Sequence, residues 1–428
     1  MKSFRIDPLR KWKAKIMDNT LLHDQRILLG VTGSIAVYKA ADLASKLTQA
    51  GAQVDVMLTE AAERFIQPLT FQSVTGRRVF TERDLWGSDA HVLHIGLVEG
   101  KDLLVIAPAT ANTIAKMAQG QADTLVSLTT LTAHCPMLVA PAMDAGMFEH
   151  PATQMNLATL RKRGVMIAGP EEGRMASGMI GRGRMVEPMA LVGYVRLALG
   201  RHGPLAGRTF VVTAGGTQEP LDPARTITNR SSGKQGFALA QAALDRGATV
   251  TLISGPSSLE TPIGARRIDV RTAAEMERAV LEESAEADVL LMAAAVSDFR
   301  PSSAETEKIK RRKGIPHLVL EPTPDILAAV AEQRSKLDRP LVTVGFAAES
   351  KDLVPNARRK LHEKELTMVV ANDITSPVAG FEVDTNQVTL IDINGGVQEL
   401  PLMTKREVAE MLIQRVIQLL EESSTTLA

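Results

Sequence analysis

Two doubly wound α/β sheets, one in each half of the chain, are predicted by three observations. Apolar runs of strand length alternate with helix-length amphipathic patterns from end to end. Two of those runs, 26–34 and 211–217, end in glycine-containing turns that lead towards helices. Between the halves, Gly200-Arg201-His202-Gly203-Pro204-Leu205-Ala206-Gly207 is a glycine- and proline-rich joint. A length of 428 residues suits two or three domains. The joint divides it into a tail at 1–23, a first domain at 24–200, a linker at 201–207 and a second domain at 208–428.

Composition narrows the function classes. The 49 basic and 49 acidic side chains cancel, so no electrostatic footprint for a nucleic acid exists and any anionic ligand must be met locally. A single cysteine, Cys135, excludes an intrachain disulfide framework and fits a reducing compartment. No apolar run nears the roughly 18 residues of a membrane span, and the amino end lacks the apolar core of a signal peptide. A soluble, cytoplasmic protein with neither nucleic-acid nor membrane partner is expected. The basic tail reads as poorly ordered.

In the first half, 26–34 is an apolar strand ending in Gly33 and Ser34, and 35–50 continues as a helix closed by Gly51. The full G-x-G-x-x-G spacing is missing, which disfavours a pyrophosphate-bridged dinucleotide and leaves a single phosphate at Gly33-Ser34. Strands follow at 53–59, 103–107, 136–140 and 165–168, with helical patterns between them and a closing helix at 191–199. Ligands of such sheets gather at the carboxyl ends of strands. Two of those ends, 107–113 and 141–148, are rich in small residues, and small side chains leave room for a flat ring. His94, ahead of the third strand, is a candidate proton handler, with a structural histidine as the alternative. Cys135 precedes an apolar strand and reads as a core thiol.

The second half opens on Val211-Val212-Thr213-Ala214-Gly215-Gly216-Thr217, a strand ending in paired glycines that reads as an anion cradle. A polar loop at 225–234 then gives way to a helix near Phe237, whose amino end would offer N–H groups and the positive dipole end to phosphate or carboxylate. The alternative is a strand-to-helix turn with a solvated loop. Strands at 249–254, 268–270, 288–293, 341–346 and 368–371 complete a second sheet. Residues 388–393 with Asn394-Gly395-Gly396 read as part of a hairpin, and 405–422 as a closing amphipathic helix. Asp298 follows an apolar strand, where a carboxylate can hold Mg²⁺ or a nucleotide's polar edge. The basic run 307–313 beside it suits a triphosphate, with a solvated face as the alternative.

These residues carry a resemblance to two enzyme families in tandem. Gly33-Ser34-Ile35-Ala36, His94-Ile95-Gly96-Leu97 and the runs 108–112 and 141–143 resemble the flavin-dependent cysteine decarboxylases. Runs at 213–216, 227–233, 293–298, 308–310 and 344–349 resemble phosphopantothenate–cysteine ligase. In that order, from about residue 24 onwards, they resemble the bifunctional proteins of coenzyme A biosynthesis.

For the first half the resemblance implies a flavodoxin-like flavoprotein domain. Its FMN site would be Gly33, Ser34, Thr59, Pro108, Thr110, Asn112, Thr113 and Met143, with His94 as base. The flavin would oxidise a substrate thiol to a thioaldehyde, CO₂ would leave, and the ene-thiol would be reduced and protonated. For the second half it implies a Rossmann-like ligase domain using CTP and Mg²⁺. Asp298, Lys308, Lys310, Phe346, Lys360 and Lys364 would surround the nucleotide, with Asp298 on the metal. Gly215, Arg225, Asn229 and Ala294 would hold 4'-phosphopantothenate and its acyl-cytidylate, Lys308 and Asn229 being catalytic. The substrate carboxylate would attack the α-phosphate, and cysteine's amine would then attack the acyl carbon. A homo-oligomer of trimeric flavin domains and dimeric ligase domains is also implied. One open hollow should join Asn229, Asp298 and Lys308.

Two positions depart from the family pattern. Asp144 stands where the family has a substrate-binding asparagine, and Ser177, in the glycine-rich flap-like stretch 173–185, stands where it has a proton-donating cysteine. A carboxylate facing the substrate's carboxylate repels it unless it is protonated or paired, and Arg174, Arg182 and Arg184 are candidate partners. A hydroxyl is a weaker acid than a thiol, so Ser177, another acid or a water would complete the reduction. The alternative is an active ligase fused to a flavoprotein half that is degenerate or stops at the oxidised ene-thiol. An NAD-linked dehydrogenase predicts an acidic residue closing the second strand, where this chain has Thr59-Glu60.

Overall fold

The computed structural model describes residues 21–86, 92–310, 317–336, 341–349, 352–373 and 383–426. The expected tail up to residue 20, and Arg311, Arg312 and Lys313 of the basic run, lie outside them. The chain separates into two compact units between Gly200 and Arg201.

The first unit holds the parallel strands β1 (Arg26–Val31), β2 (Gln53–Leu58), β3 (Val79–Phe80), β4 (Leu103–Ala109), β5 (Met137–Pro141) and β6 (Met166–Ile167). Their order is β3-β2-β1-β4-β5-β6. Without the two-residue edge strand β3 this is the flavodoxin-like order. Alternation along each strand feeds both faces. Ile27, Leu29, Val54, Val56 and Val105 join the helices Val37–Gln49 and Pro188–Gly200 in one buried cluster. Leu28, Met57, Leu104 and Ile106 join the helices Ala111–Gln119 and Pro151–Lys162 in another. A sheet covered on both sides needs apolar residues at every strand position, which is why the strands read as unbroken apolar runs. The winding reverses between β1 and β4, so their carboxyl ends part to form a crevice. The stretch 173–185 proves to be a hairpin of β7 (Glu171–Arg174) and β8 (Ile180–Arg184), with Ser177 in its turn.

Asp55 on β2 is 8% exposed and receives the guanidinium of Arg77 (Nε at 2.6 Å) and the ammonium of Lys101. Burial pushes its carboxyl up, but the hydrogen bonds and charges of Arg77 and Lys101 outweigh this and hold it below the usual range. A carboxyl depressed by folding stabilises the fold above its unfolded pKa and loses that stabilisation as pH falls through the folded value. Asp55→Asn should cost the first unit about 3 kcal/mol at neutral pH. In thermal unfolding, the gap between variant and parent should narrow as pH is lowered past about 4. A gap that does not narrow would assign the loss to packing.

The second unit holds β9 (Thr209–Ala214), β10 (Gln218–Asp222), β11 (Arg225–Thr228), β12 (Thr249–Ser254), β13 (Arg266–Asp269), β14 (Val289–Met292), β15 (Phe299–Pro301) and β16 (Leu320–Pro322). Beyond these come β17 (Val342–Glu349), β18 (Met368–Asp373), β19 (Thr385–Asn386), β20 (Val388–Asp392), β21 (Val397–Glu399) and β22 (Met403–Thr404). The main sheet runs β13-β12-β9-β14-β17-β18-β20-β21, parallel as far as β18 and antiparallel after it. The helices Lys234–Leu244 and Lys405–Thr426 pack together on this sheet, while Ala273–Ser284 and Ile326–Arg334 bury Val211, Ile253 and Leu290. The 201–207 stretch belongs to this unit: Leu205 is buried and its N–H donates to the Arg246 carbonyl.

One expectation changes here. Residues 225–228 are strand rather than loop, because Thr226, Ile227 and Thr228 suit a pleated pairing with β10 across the Pro223-Ala224 turn. The short β15–β16 hairpin leaves no periodic signal and was not anticipated.

Candidate active sites

In the first unit the expected cofactor residues lie at the carboxyl ends of β1, β2, β4 and β5. The Ser34 hydroxyl accepts the Ala36 N–H (3.3 Å), and Thr59 caps a short helix by accepting the Ala62 N–H (3.2 Å). Thr110 caps the helix Ala111–Gln119 by accepting the Thr113 N–H (3.3 Å), and the two threonine hydroxyls lie 3.1 Å apart. Asn112 is exposed in the first turn of that helix. Sequence reasoning passed over Thr32, whose buried Oγ1 donates to the Pro108 carbonyl (2.7 Å) and accepts the Thr110 N–H (3.1 Å). This clip ties the ends of β1 and β4 where the winding reverses. Its signal was a polar residue between an apolar strand and Gly33.

These donors are hydroxyls, an amide and backbone N–H groups, with no acid among them, which suits a phosphate monoester. Half-buried Met143 and the small residues around it suit a flat ring, so the residues fit FMN. His94 lies half-buried on the helix Leu93–Val98, and its ring has no hydrogen-bond partner among the described residues.

The two departures from the family pattern touch each other. The Ser177 hydroxyl donates to Asp144 Oδ2 at 2.7 Å, and Asp144 Oδ1 accepts the Gly146 N–H at 3.1 Å. Strand β8 lies flat on this stretch: the Met143 N–H donates to the Gly183 carbonyl (3.0 Å), and a Cβ on Gly183 would fall 2.2 Å from the Met143 oxygen. The expected arginine pairing is not found. Arg184 pairs with Glu187 (2.5 Å), Arg182 lies over the Phe148 ring (5.7 Å), and Asp144 has no ion pair among the described residues. Its two oxygens are taken by Ser177 and Gly146 instead. Cys135 is half-buried at the edge of an apolar cluster rather than within the core, and burial pushes its thiol up.

The second unit contains a crevice of about 640 Å³. Of the expected residues, Asn229, Ala294, Asp298, Phe346, Lys360 and Lys364 line it. Asn229 Nδ2 donates to the Val296 carbonyl (2.9 Å), Lys360 Nζ to the Phe346 carbonyl (2.7 Å), and Lys364 pairs with Asp325. Asp298 is exposed, its carbonyl accepting the Thr323 N–H (3.0 Å). Among the described residues no group of three metal-ligating side chains exists, so a divalent ion here would be shared between Asp298 and the ligand's own oxygens.

Lys308, Lys310, Arg225 and Gly215 are absent from that lining, so the expected hollow joins Asn229 and Asp298 without Lys308. The physical reason is a docking contact. The exposed segment 302–310 lies on the β10–β11 hairpin, where Asp222 Oδ2 accepts the Ile309 N–H (3.1 Å) and Arg225 bridges Asp222 (3.1 Å) and the Ile309 carbonyl (3.2 Å). Burial pushes the Asp222 carboxyl up, but the N–H groups of Ala224 and Ile309 and the charge of Arg225 outweigh it and hold it low. Gly215 shapes the wall from behind, turning at φ +78 with its carbonyl on the Ala295 N–H (2.8 Å). The crevice also recruits Lys234, the last residue of the polar loop expected at 225–234, together with Asn372, Asn386 and Lys405, which sequence reasoning missed. The last three come from distant stretches, and none stands in a recognisable local motif.

Residues that fit a flavin at the strand ends of one doubly wound unit and a lysine-lined crevice on a second define a two-domain α/β enzyme. The family described as Flavoprotein matches residues 16–199, and the family described as DNA/pantothenate metabolism flavoprotein C-terminal domain matches 205–420. The coenzyme A biosynthesis bifunctional protein CoaBC of Bacillus subtilis (strain 168) is 42% identical, covering 94% of this chain and 99% of that one. Those of Vibrio vulnificus (strain CMCP6), 43% identical over 92% and 98%, and Escherichia coli (strain K12), 41% identical over 94% and 99%, are similar through both halves. The chain belongs to the CoaBC family, a flavoprotein decarboxylase joined to a ligase in coenzyme A biosynthesis. Matches that run through both units do not favour a degenerate first half.

Proposed function

We propose that this chain converts 4'-phosphopantothenate to 4'-phosphopantetheine in the cytoplasm, first in the second unit and then in the first. The observation that carries this reading is the crevice in which Asn229, Asp298, Phe346, Lys360 and Lys364 converge. There the carboxylate of 4'-phosphopantothenate attacks the α-phosphate of CTP, releasing pyrophosphate, and cysteine's amine then takes the acyl group from CMP. Asp298 would hold Mg²⁺ and with it offset the nucleotide's charge, and the lysines offset charge that builds in the transition state. Asn229, steadied by Val296, keeps one amide N–H for the tetrahedral acyl centre. Lys308, Lys310 and Arg225 act in this reading only when the 302–310 segment, or a partner copy in a dimer of ligase domains, brings them to the substrate.

In the first unit, Gly33, Ser34, Thr59, Pro108, Thr110, Asn112, Thr113 and Met143 would hold FMN, which when bound would supply the redox chemistry needed at the substrate's C–S unit. His94 serves as base, Asp144 lies at the substrate's carboxyl end with its charge met by the Ser177 hydroxyl and the Gly146 N–H, and the β7–β8 hairpin excludes water. Trimers of this domain complete the assembly. Ser177 is the proton donor for the last step, held in place by Asp144. Ser177→Ala should leave CO₂ release close to normal and lower formation of the fully reduced thiol by about 100-fold. Mass analysis should then find a product two hydrogens short. Equal loss of CO₂ and thiol would remove Ser177 from the reductive step.

The direct test of the whole reading supplies 4'-phosphopantothenate, cysteine, CTP and Mg²⁺ and follows pyrophosphate, CO₂ and the final thiol. Absence of pyrophosphate overturns the ligase assignment.

A further inference from the structure

Four lysines line the crevice of the second unit, and three are engaged: Lys234 with Asp384 (2.6 Å), Lys360 with the Phe346 carbonyl (2.7 Å) and Lys364 with Asp325. Lys405 is the exception. Only 8% exposed, it has no side-chain partner among the described residues. Its backbone is pinned at both ends, the N–H donating to the Asp384 carbonyl (2.9 Å) and the carbonyl accepting Gln235 Nε2 (3.1 Å). Burial and the nearby Lys234 outweigh the Asp384 carboxylate and push its ammonium below the usual lysine range.

Lys405 shares this wall of the crevice with the amino end of the helix Lys234–Leu244. That helix starts at Gly233 in a left-handed conformation (φ +78), and no side chain caps it. Ser231, Ser232 and the first turn of the helix line the crevice with it. Two further polar atoms lining the crevice, Gln235 Oε1 and Ser297 Oγ, are buried with no hydrogen-bond partner among the described residues. An uncapped helix start beside two lysines, with a single carboxylate between them at Asp384, is short of negative charge. Burying an unpaired ammonium is costly unless an anion meets it. A polyphosphate supplies many oxygens and several charges at once.

We propose that Lys405, with Lys234 and the uncapped first turn after Gly233, binds the β- and γ-phosphates of the nucleotide and holds the departing pyrophosphate. This rests on the ligase reading of the crevice and adds to it the group that receives the leaving group's charge. The bond to the α-phosphate breaks with its electron pair going to the β-phosphate bridging oxygen, and Lys405 stabilises the charge that accumulates there. The phosphate of 4'-phosphopantothenate is the other anion that could use such donors.

The test compares Lys405→Gln and Lys405→Arg with the parent in the full chain. Circular dichroism and the thermal unfolding of the second unit report that each variant folds. Lys405→Gln should raise the KM for CTP and weaken binding of inorganic pyrophosphate, measured by calorimetry, by about tenfold or more, the scale of one lost charge-assisted hydrogen bond. Its KM for 4'-phosphopantothenate should stay within about twofold, and Lys405→Arg should recover most of the loss, as a merely structural lysine would not require. Unchanged pyrophosphate binding overturns the proposal, and so does a rise confined to the KM for 4'-phosphopantothenate. If the parent binds pyrophosphate and Lys405→Gln does not, but CTP is never turned over, the site stands and the ligase reading falls.

Discussion

Gly183→Val is expected to lower CO₂ release from phosphopantothenoylcysteine by about 100-fold while pyrophosphate release in the second unit continues unchanged. A Cβ at this position would lie 2.2 Å from the Met143 oxygen and 3.2 Å from the Asp144 carbonyl carbon. Both obstacles are backbone, so no rotamer change relieves the clash, and β8 must lift. Lifting it breaks the Met143 N–H bond to Gly183 (3.0 Å) and withdraws Ser177 from Asp144 (2.7 Å). A displacement of about 1 Å at a reacting centre is enough for an effect of this size. CO₂ and pyrophosphate measured on one preparation decide the matter, because the ligase activity reports folding of the rest of the chain. Normal CO₂ release would show that the hairpin is no part of the site.

Asp298→Ala should lower pyrophosphate release from CTP by at least about 100-fold, again with CO₂ release from supplied phosphopantothenoylcysteine preserved. Asp298 lies in the lining at the carboxyl side of β14, while the other carboxylate there, Asp325, is committed to Lys364. Without Asp298 the metal would be held by phosphate oxygens alone, so the Mg²⁺ concentration needed for half-maximal rate should rise as well. Turnover that falls with no change in the Mg²⁺ requirement would move Asp298 from the metal to the nucleoside.

Much of this architecture was legible in one dimension. Strands buried on both faces cannot alternate, so β1, β4, β9 and β14 stand out as apolar runs whose ends are marked by glycine, proline and threonine. Sites at those ends were legible for the same reason: Thr110 and Thr113 follow β4 directly, and Asp298 follows β14 by six residues. The hairpins were harder. Strands β10 and β11 and the flap strands β7 and β8 carry charged and glycine residues that look like loop, and only pairing partners in space make them strands.

The order of motifs along the chain by itself determined the two-unit α/β class, the tandem family resemblance and which strand ends would hold ligands, because those follow from local periodicity and residue type. Only the tertiary structure decided that Asp144 is satisfied by Ser177 rather than by an arginine, that Arg225 ties the basic segment to a hairpin away from the crevice lining, and that Lys405 enters the crevice from the far end of the chain. Each of these is a contact between residues 33, 84 or about 170 positions apart, and which side chain meets which across such distances is set by how the sheets twist and pack.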